Sequence, residues 1–302
     1  MTLVVRVRLL STKTDCWYDL YMRGYLPKIA REMRKNVVRM LALAESGHTA
    51  GPLGSADLFA YLYFGGELNV RPNDPYWEGR DRLVLSCGHY APVLYTSLAM
   101  AGFFPLEELS TLRKLGSRLQ GHVVRHVVYE KRKLAHDQLP GVENTGGPLG
   151  QGVSVAVGMA IAAKMKKQKH RIICVGSDGE LEEGQTWEAY MTAVKYKLGN
   201  LIFVIDRNEI QISGNVTDVM PIEPVERKLA AFGLRTKEID GHDFSEIAGI
   251  FSWARMFPDQ PKAVIMKTIP GKGVKGFGGF EWHGRAPTKE QALDALMELD
   301  KT

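Results

Sequence analysis

The sequence predicts an α/β protein built on a mostly parallel sheet with helices on both faces. Segments with the helical spacing of apolar residues alternate with short apolar runs of strand length. Such runs are typical of parallel strands, because crossover helices bury both faces of the sheet. The predicted strands are DRLVLS (81–86), RIICVG (171–176), LIFVID (201–206) and KAVIMKT (262–268).

Residues 26–64 precede the first strand and are predicted to be helical, with a break at GHTAGPLG (47–54). Ser55 is the expected N-cap of the helix that resumes after this break. Residues 1–25 are assigned to an N-terminal extension and residues 26–302 to one domain. The apolar residues of the first helix recur with helical spacing at Ile29, Met33, Val37, Val38 and Leu41.

Length and composition exclude several classes of protein. The 302 residues are 45% hydrophobic and 24% charged, as in an ordinary globular protein with a substantial core. No apolar run approaches the roughly 20 residues of a membrane helix. Three cysteines in no paired pattern favour a reducing compartment, so we expect a cytoplasmic protein. Nucleic-acid binding is not expected, because the densest basic run, KMKKQKHR (164–171), ends a predicted helix and lacks aromatic residues.

The stretch GSDGELEEGQTWEA (176–189) leaves a predicted strand and enters a helix that we expect to end near Leu198, stopped by Gly199. The following strand returns parallel to the first. This connection places Asp178 and Asn208 beyond the carboxyl ends of neighbouring strands, where open α/β sheets bind ligands. The buried face of the helix is predicted to consist of Trp187, Met191, Val194 and Leu198.

Asp178 and Asn208 offer a carboxylate and an amide oxygen, which form part of a ligand shell for a hard cation. Magnesium prefers six oxygens and commonly takes the remaining ligands from water and phosphate. The pair therefore predicts a phosphorylated cofactor. Glu180 and Glu182 have a simpler explanation, because carboxylates in the first turn of a helix are favoured by about 0.3–1 kcal/mol each.

The glycine-rich segments favour a diphosphate ligand without matching a common nucleotide motif. GQGVSV (150–155) lacks the third glycine of the dinucleotide fingerprint, and GKGVKG (271–276) lacks the spacing of a P-loop. In TGGPLGQG (145–152), the glycines would instead let backbone amides approach a diphosphate at a helix N-terminus.

Four histidines lie beside glycines at predicted element junctions, whereas His126, His136, His170 and His242 do not. Histidine titrates near neutral pH and can transfer protons or donate to phosphate. A single histidine in a turn is more often structural, but four in the same setting indicate a site. They are His48, His89, His122 and His283.

Seven separated motifs follow one another along the chain: SGHTAGPLG, RDRLVLSCGHYAPVLY, LGSR followed by GH, PGVENTGGPLGQGVSVAVGMA, SDGELEEGQTWEA, LGNLIFVIDRNEIQISG and WHGRAP. In this order they resemble the diphosphate-binding half of transketolase, over roughly residues 30–295. The resemblance implies the N-terminal subunit of a split transketolase, in which residues 26–302 form the thiamine-diphosphate-binding domain. Such an enzyme moves a two-carbon ketol unit from a ketose to an aldose acceptor.

The resemblance also implies a site for thiamine diphosphate bound through Mg²⁺, or through Ca²⁺ or Mn²⁺. The implied metal ligands are Asp178, Asn208 and the carbonyl of Ile210. The implied catalytic residues, placed around the substrate hydroxyls and the reacting carbon, are His48, His122 and His283. The implied cofactor-binding residues are His89, Gly147, Leu149, Gly179, Ile212 and Glu183.

These cofactor-binding residues have different implied roles. Gly147 and Gly179 would meet the diphosphate through their backbone, and His89 would donate to it, as would His283. Ile212 would pack on the thiazolium ring. Glu183 resembles the acid that joins the two active sites of a dimer.

This sequence departs from the transketolase pattern at three points. Ser177 replaces the first glycine of the usual GDG, which is tolerable where φ is negative. A longer and more basic segment follows His122, around residues 123–139. We hypothesise that Arg125 and residues 131–133 form a positive flap over an anionic sugar, with a solvated charged loop as the alternative.

The third departure is that the sequence ends, after a helix expected to be capped by Thr288, about where a full-length enzyme would begin its pyrimidine-binding half. We therefore expect a partner, the C-terminal transketolase subunit with the pyrimidine-binding and C-terminal domains, in an α2β2 assembly. Neither nucleic acid nor membrane is an expected partner. The alternatives are the α chain of a 2-oxo-acid dehydrogenase, a transketolase-like subunit for modified or sulfonated sugars, and a noncatalytic paralogue.

Overall fold

The computed structural model describes residues 24–125 and 138–301, which form a five-stranded sheet in the order β1-β2-β3-β7-β6. Every neighbouring pair in this sheet is parallel. A short antiparallel hairpin, β4–β5, lies outside it. The strands are β1 (Arg82–Leu85), β2 (Ile172–Ser177), β3 (Leu201–Arg207), β4 (Ile210–Gln211), β5 (Gly214–Asn215), β6 (Arg235–Asp240) and β7 (Lys262–Lys267).

Helices cover both faces of the sheet, as the sequence predicts. On one face the core includes residues of α1, α3, α4, α9 and α10, and on the other it includes residues of α5, α6 and α8. The helices are α1 (Leu26–Ala44), α2 (Ala50–Gly54), α3 (Ala56–Phe64), α4 (Ala91–Met100), α5 (Gln151–Met165), α6 (Gly184–Lys195), α7 (Val216–Val219), α8 (Val225–Ala231), α9 (Phe244–Ala254) and α10 (Lys289–Lys301).

The central strand β3 shows why its sequence is a nearly continuous apolar run. Ile202 and Val204 belong to the core on one face, whereas Leu201 and Phe203 belong to the core on the other. A strand covered on both sides needs apolar residues at successive positions, not only at alternate ones. The α/β fold class predicted from the apolar runs is confirmed.

The strand β6 and the hairpin β4–β5 are not predicted from the sequence. β6 reads RTKEID, and most of its residues are exposed or half-buried because it forms one edge of the sheet. An edge strand pairs on one side only and tolerates charged residues. The hairpin β4–β5 has two residues on each side, too few for a recognisable alternation.

The helices before β1 follow the predicted pattern, with one difference in detail. Met33, Val37, Val38 and Leu41 of α1 are fully buried, as their spacing predicts. Ser55 occupies the predicted N-cap position of α3, but its side chain makes no capping hydrogen bond. Its hydroxyl is buried without a partner among the described residues.

The predicted end of α6 is wrong by about three residues, whereas its predicted buried face is wrong only at Met191. The helix ends at Lys195, followed by Lys197 with a φ of 49°. Gly199 has another role, because a Cβ there would lie 1.6 Å from the carbonyl oxygen of Pro258. Met191 is 53% exposed, but Leu198 is buried, and Trp187 and Val194 are half-buried against the core as predicted.

The last helix begins as predicted. The Thr288 hydroxyl accepts from the Gln291 amide at 3.2 Å, while the Gln291 side chain accepts from the Thr288 amide at 3.0 Å. This reciprocal pair is a capping box. Within the described residues, none of the helices has both the length and the apolar character needed to cross a membrane. The division at residue 25 stays a prediction, since residues 1–23 are outside those described.

Candidate active site

The candidate site lies at the carboxyl edge of the sheet, where β1, β2 and β3 end side by side. His89 follows β1 in a 3₁₀ turn, Asp178 directly follows β2, and Asn208 directly follows β3. Ser177 and Asp206 are paired in the register of β2 and β3. The topology therefore brings together residues that are far apart in the sequence, at the edge where ligands bind in parallel sheets.

Asp178 is buried, and its only described hydrogen-bond donors are backbone amides. Its two oxygens accept from the amides of Gly179 at 2.9 Å and Glu209 at 2.6 Å. Burial, followed by the charge of Asp206, raises the pKa of the Asp178 carboxyl to about 7. A carboxylate in this setting lacks a neutralising charge and would be stabilised by a cation.

Asn208 and Ile210, the other predicted metal ligands, are adjacent to this carboxylate. Asn208 is 5% exposed, and its Oδ1 accepts from the Ile210 amide at 3.0 Å. Ile210 starts the hairpin β4–β5 and is buried. The structure thus places the three predicted ligands on the two connections that leave β2 and β3.

The four histidines predicted to form a site converge from four separate segments. The ring of His48 has its centroid 5.2 Å from that of His89, 5.7 Å from that of His122 and 5.8 Å from that of His283. His89 and His283 are 4.9 Å apart. His170 and His242 take no part in this cluster, and His126 and His136 lie outside the described residues.

Burial and mutual repulsion keep the histidine cluster uncharged. The pKa of His48 is lowered to about 3, chiefly by burial and then by the charges of His283, His122 and Arg113. Burial is also the main cause of the lowered pKa values of His89, His122 and His283. At neutral pH these rings are therefore neutral hydrogen-bonding groups, each able to donate through one nitrogen and accept through the other.

Two nitrogens of this cluster have no hydrogen-bond partner among the described residues. They are Nδ1 of His48 and Nε2 of His89, and both are buried. Buried polar atoms in proteins are nearly always bonded, so unpaired ones next to each other indicate a missing ligand. Within the same residues, no three His, Cys, Asp or Glu side chains are arranged to hold a metal ion.

The glycines of the two predicted diphosphate loops leave open space above the backbone. A Cβ at Gly147 would meet nothing within 4 Å, and the residue has a φ of +155°. A Cβ at Gly179 would meet only a side-chain atom, at 3.8 Å. Gly88 packs directly on this loop, since its Cβ would lie 2.9 Å from the Gly147 amide. The carbonyl of Leu149 is already bonded to the Gln185 side chain at 2.7 Å.

Glu180 has a role that the first-turn explanation does not predict. It lies in the first turn after β2, but it is 1% exposed and bonded to three segments. Its carboxylate accepts from the Ser86 hydroxyl at 2.6 Å, the Gly150 amide at 2.7 Å and the Ser177 amide at 3.1 Å. The Gly150 amide at the start of α5 is therefore occupied by a protein carboxylate. Glu182 is exposed, as a first-turn charge would be.

Behind the predicted metal ligands is a hydrogen-bonded group that the sequence does not reveal. Tyr90 donates to Asp206 at 2.5 Å and accepts from the Asn208 side chain at 2.6 Å. Thr268, which follows β7, donates to the other oxygen of Asp206. In the sequence, Tyr90 is visible only as a tyrosine after a Gly-His pair, and Asp206 only as an aspartate at the end of a strand. The contact between them depends on the order of the strands in the sheet.

The remaining predicted residues lie at the rim. Ile212, in the turn of the hairpin β4–β5, is 70% exposed, and a Cβ at Gly284 would lie 3.6 Å from it. Glu183 is exposed at the start of α6. Both positions are open to a ligand or a second chain. Their functions stay predictions.

Two departures from the family pattern can be described in structural terms. Ser177 has a φ of −120°, an unstrained extended conformation, and its side chain takes part in a capping box with Glu180. Arg125 donates to the carbonyl of Glu143 at 3.1 Å and lies 3.8 Å from its carboxylate. Its charge is thus partly balanced within the domain. Residues 131–133 of the proposed flap are outside the described residues.

Comparison with known proteins identifies the family. The model of the transketolase thiamine-diphosphate-binding domain matches residues 27–299. The chain belongs to the transketolase family. The resemblance expected from the seven motifs is therefore confirmed. Transketolase-family membership also excludes the 2-oxo-acid dehydrogenase α chain that the sequence left open as an alternative.

Several transketolase relatives are separate subunits whose length this chain nearly matches. It is 38% identical to the 6-deoxy-6-sulfo-D-fructose transketolase subunit of a Clostridium species, covering 91% of this chain and 98% of the relative. It is 37% identical to one of the subunits of the apulose-4-phosphate transketolase from Phocaeicola vulgatus, covering 89% and 91%. The chain thus matches these separate subunits over most of their length and of its own.

Transketolases of full length match this chain over less than half of their own length. The human transketolase is 34% identical over 91% of this chain but only 42% of its own. The crystal structure of transketolase from Campylobacter jejuni superimposes with a TM-score of 0.82 at 34% identity, covering 91% of this chain and 42% of that one. These transketolases share the fold described above.

Proposed function

We propose that this chain is the cofactor-binding subunit of a transketolase that moves a two-carbon ketol unit from a ketose to an aldose acceptor. The observation that carries the proposal is the convergence of four neutral histidines with Asp178 and Asn208 at one edge of the sheet. Proton transfer at hydroxyls and binding of a metal diphosphate require these two kinds of group side by side.

The residues present fit thiamine diphosphate and a divalent cation such as Mg²⁺. Asp178, Asn208 and the carbonyl of Ile210 would supply three oxygens, and the diphosphate and water would complete the shell. The open backbone at Gly147 and Gly179 would admit the diphosphate. The unpaired Nε2 of His89 would gain a partner in the bound cofactor or substrate. When bound, the thiazolium supplies the electron sink that the protein lacks.

In this proposal the histidines bind the substrate hydroxyls and transfer their protons. His48, His122 and His283 would bond to the sugar hydroxyls and accept or return a proton there. Because their pKa values are lowered, each ring is neutral at neutral pH and has one acceptor nitrogen. Ile212 would shield the thiazolium from water, together with the nearby turn at Gly284.

We propose that the rest of the active site comes from a C-terminal subunit, in an α2β2 assembly. Relatives that this chain matches over 91% or more of their length are named as subunits, whereas it matches only 42% of the human transketolase. Glu183, exposed at the start of α6, would meet the partner between the two active sites. The partner would supply the carboxylate that acts on the aminopyrimidine of the cofactor.

A reconstitution assay tests both parts of the proposal. Ketol transfer is measured with this chain alone, with its candidate partner alone and with the mixture, each with Mg²⁺ and thiamine diphosphate. Turnover is expected only in the mixture. Full turnover by this chain alone would contradict partner dependence, and a mixture that neither binds the cofactor nor turns over would contradict the enzyme assignment.

A second candidate function is ketol transfer with a modified or sulfonated sugar. The observation that favours it is the 38% identity with a subunit named for 6-deoxy-6-sulfo-D-fructose. Comparing kcat/KM of the reconstituted enzyme for phosphorylated, sulfonated and neutral sugars separates the two candidates. A preference of tenfold or more for the sulfonated sugar would support the second.

A further inference from the structure

Tyr90 connects two strands that are not neighbours in the sheet. It lies in the turn after β1, while the groups that it contacts end or follow β3. Because β2 lies between these strands, the Tyr90 side chain spans the end of β2 below the candidate site. The residue is fully buried, and its ring packs edge-on against that of His89, with centroids 4.8 Å apart.

The hydroxyl of Tyr90 is a donor on one side and an acceptor on the other. It donates to Oδ2 of Asp206 at 2.5 Å and accepts from Nδ2 of Asn208 at 2.6 Å. The same Nδ2 also donates to Oδ2 of Asp206, at 3.2 Å. The three polar groups form a closed triangle with every donor matched to an acceptor.

This triangle determines which way the Asn208 amide points. A carboxylate can only accept hydrogen bonds, so the NH₂ group of Asn208 must face Asp206. A reversed amide would place its oxygen against the carboxylate and would leave the Tyr90 hydroxyl without a donor. Oδ1 consequently faces the opposite side, where it accepts from the Ile210 amide at 3.0 Å.

The position of Tyr90 depends on a glycine in another element. A Cβ at Gly51, in α2, would lie 2.3 Å from the Tyr90 ring. Real Cβ atoms do not approach other atoms this closely. Gly51 therefore leaves the space that lets Tyr90 reach Asp206 and Asn208.

We infer that Tyr90 is a positioning residue, which orients the Asn208 amide so that its oxygen is presented to the metal ion of the cofactor site. The inference rests on the proposed function, because it requires Asn208 to be a metal ligand. Groups behind a metal ligand commonly tune affinity by 10- to 100-fold, since they hold the ligand atom in its binding orientation.

The test is Tyr90→Phe, which removes one oxygen and keeps the buried ring. Mn²⁺ replaces Mg²⁺ as a spectroscopic probe, and its Kd is measured by electron paramagnetic resonance with saturating thiamine diphosphate, on the full chain assembled with its C-terminal subunit. We expect binding of Mn²⁺ to be about tenfold weaker. At saturating metal, kcat should return to within about twofold of the unsubstituted enzyme.

Two matched variants separate orientation of the amide from other effects. Thr268→Val removes the donor to the other oxygen of Asp206 and leaves Asn208 untouched, so the Kd of Mn²⁺ should change less than about threefold. Tyr190→Phe removes the hydroxyl of another buried tyrosine, in α6, and should leave the Kd unchanged. Asp206→Asn removes the carboxylate that excludes the reversed amide, and should weaken Mn²⁺ binding as Tyr90→Phe does.

The outcomes distinguish this inference from the function on which it rests. If the unsubstituted assembly binds neither Mn²⁺ nor thiamine diphosphate, the proposed function fails and the inference fails with it. If the unsubstituted assembly binds both, but Tyr90→Phe matches the Tyr190 or Thr268 variant in Mn²⁺ affinity, only the inference is overturned.

Discussion

The carboxylate of Glu180 accepts a hydrogen bond from the Gly150 amide at 2.7 Å, so the N-terminus of α5 is bonded to an anion of the protein itself. Glycine-rich loops before helices commonly bind the phosphates of a ligand. Here one such amide is already occupied. The open backbone of Gly147 is left as the part of this loop that a diphosphate can approach.

Glu180→Gln is expected to destabilise the chain by about 1–3 kcal/mol, because a glutamine cannot accept all three hydrogen bonds. If its oxygen keeps Ser86 and Gly150, its NH₂ group opposes the Ser177 amide. Urea unfolding measures the loss. The exposed neighbour supplies the control, since Glu182→Gln should stay within about 0.5 kcal/mol. Equal effects of the two substitutions would show that the buried carboxylate contributes nothing.

Asp178→Asn should abolish the metal-dependent binding of thiamine diphosphate, because a neutral amide cannot supply the negative charge that a divalent cation needs. Burial raises the pKa of this carboxyl to about 7, so its ionised form is disfavoured in the folded chain. In the chain without metal, removal of this charge is opposed by the loss of an acceptor, since an asparagine cannot accept from the amides of both Gly179 and Glu209. Calorimetry with Mg²⁺ and thiamine diphosphate, in the assembled enzyme, measures binding. Unchanged cofactor affinity would contradict the metal-ligand assignment.

A control for the Asp178 experiment is Asp294→Asn, at an exposed position of α10. It makes the same chemical change away from the site. Neither stability nor cofactor affinity should change measurably. If this variant also lost the cofactor, the effect at Asp178 could not be assigned to metal binding.

The neutral, buried His48 should contribute stability to the chain without ligands that is lost as the pH drops below about 6.5. The pKa of His48 is lowered to about 3, so the unfolded chain binds a proton in this range that the folded chain does not. Stability therefore rises with pH between these values. From pH 6.5 to pH 5 the loss attributable to His48 is about 2 kcal/mol. His48→Asn should reduce the pH slope of the unfolding free energy between pH 5 and pH 7, while His89, His122 and His283 keep their own contributions, and an unchanged slope would contradict the burial of a neutral ring.

Gly51→Ala should destabilise the chain by about 1–3 kcal/mol, because the added methyl would lie 2.3 Å from the Tyr90 ring. Gly158→Ala is the matched control, since it lies in the helix α5 and a Cβ there would meet nothing within 4 Å. That substitution should stabilise the chain, by up to about 1 kcal/mol. Thermal unfolding of both variants measures the difference. Stabilisation by both substitutions would show that Tyr90 does not occupy this space.

The layers of the fold and the positions from which the site is built follow from the amino-acid sequence alone. The unbroken apolar runs of β2 and β3 identify them as strands covered on both faces, since no other arrangement buries successive side chains. Asp178 and Asn208 were located because a residue that follows a parallel strand must lie at the carboxyl edge. The four histidines of the site were likewise located from the local sequence, because each lies beside a glycine at the junction of two elements.

Which of these residues meet depends on the order of the strands in the folded chain. The charged edge strand β6 carries no apolar pattern, and its place beside β7 follows from pairing. Tyr90 reaches Asn208 because the sheet order brings the ends of β1 and β3 within one side chain of each other. Glu180 looks like any first-turn carboxylate in the sequence, yet three segments donate to it. Local patterns record burial and backbone conformation, whereas hydrogen bonds between distant segments form only once the sheet is assembled.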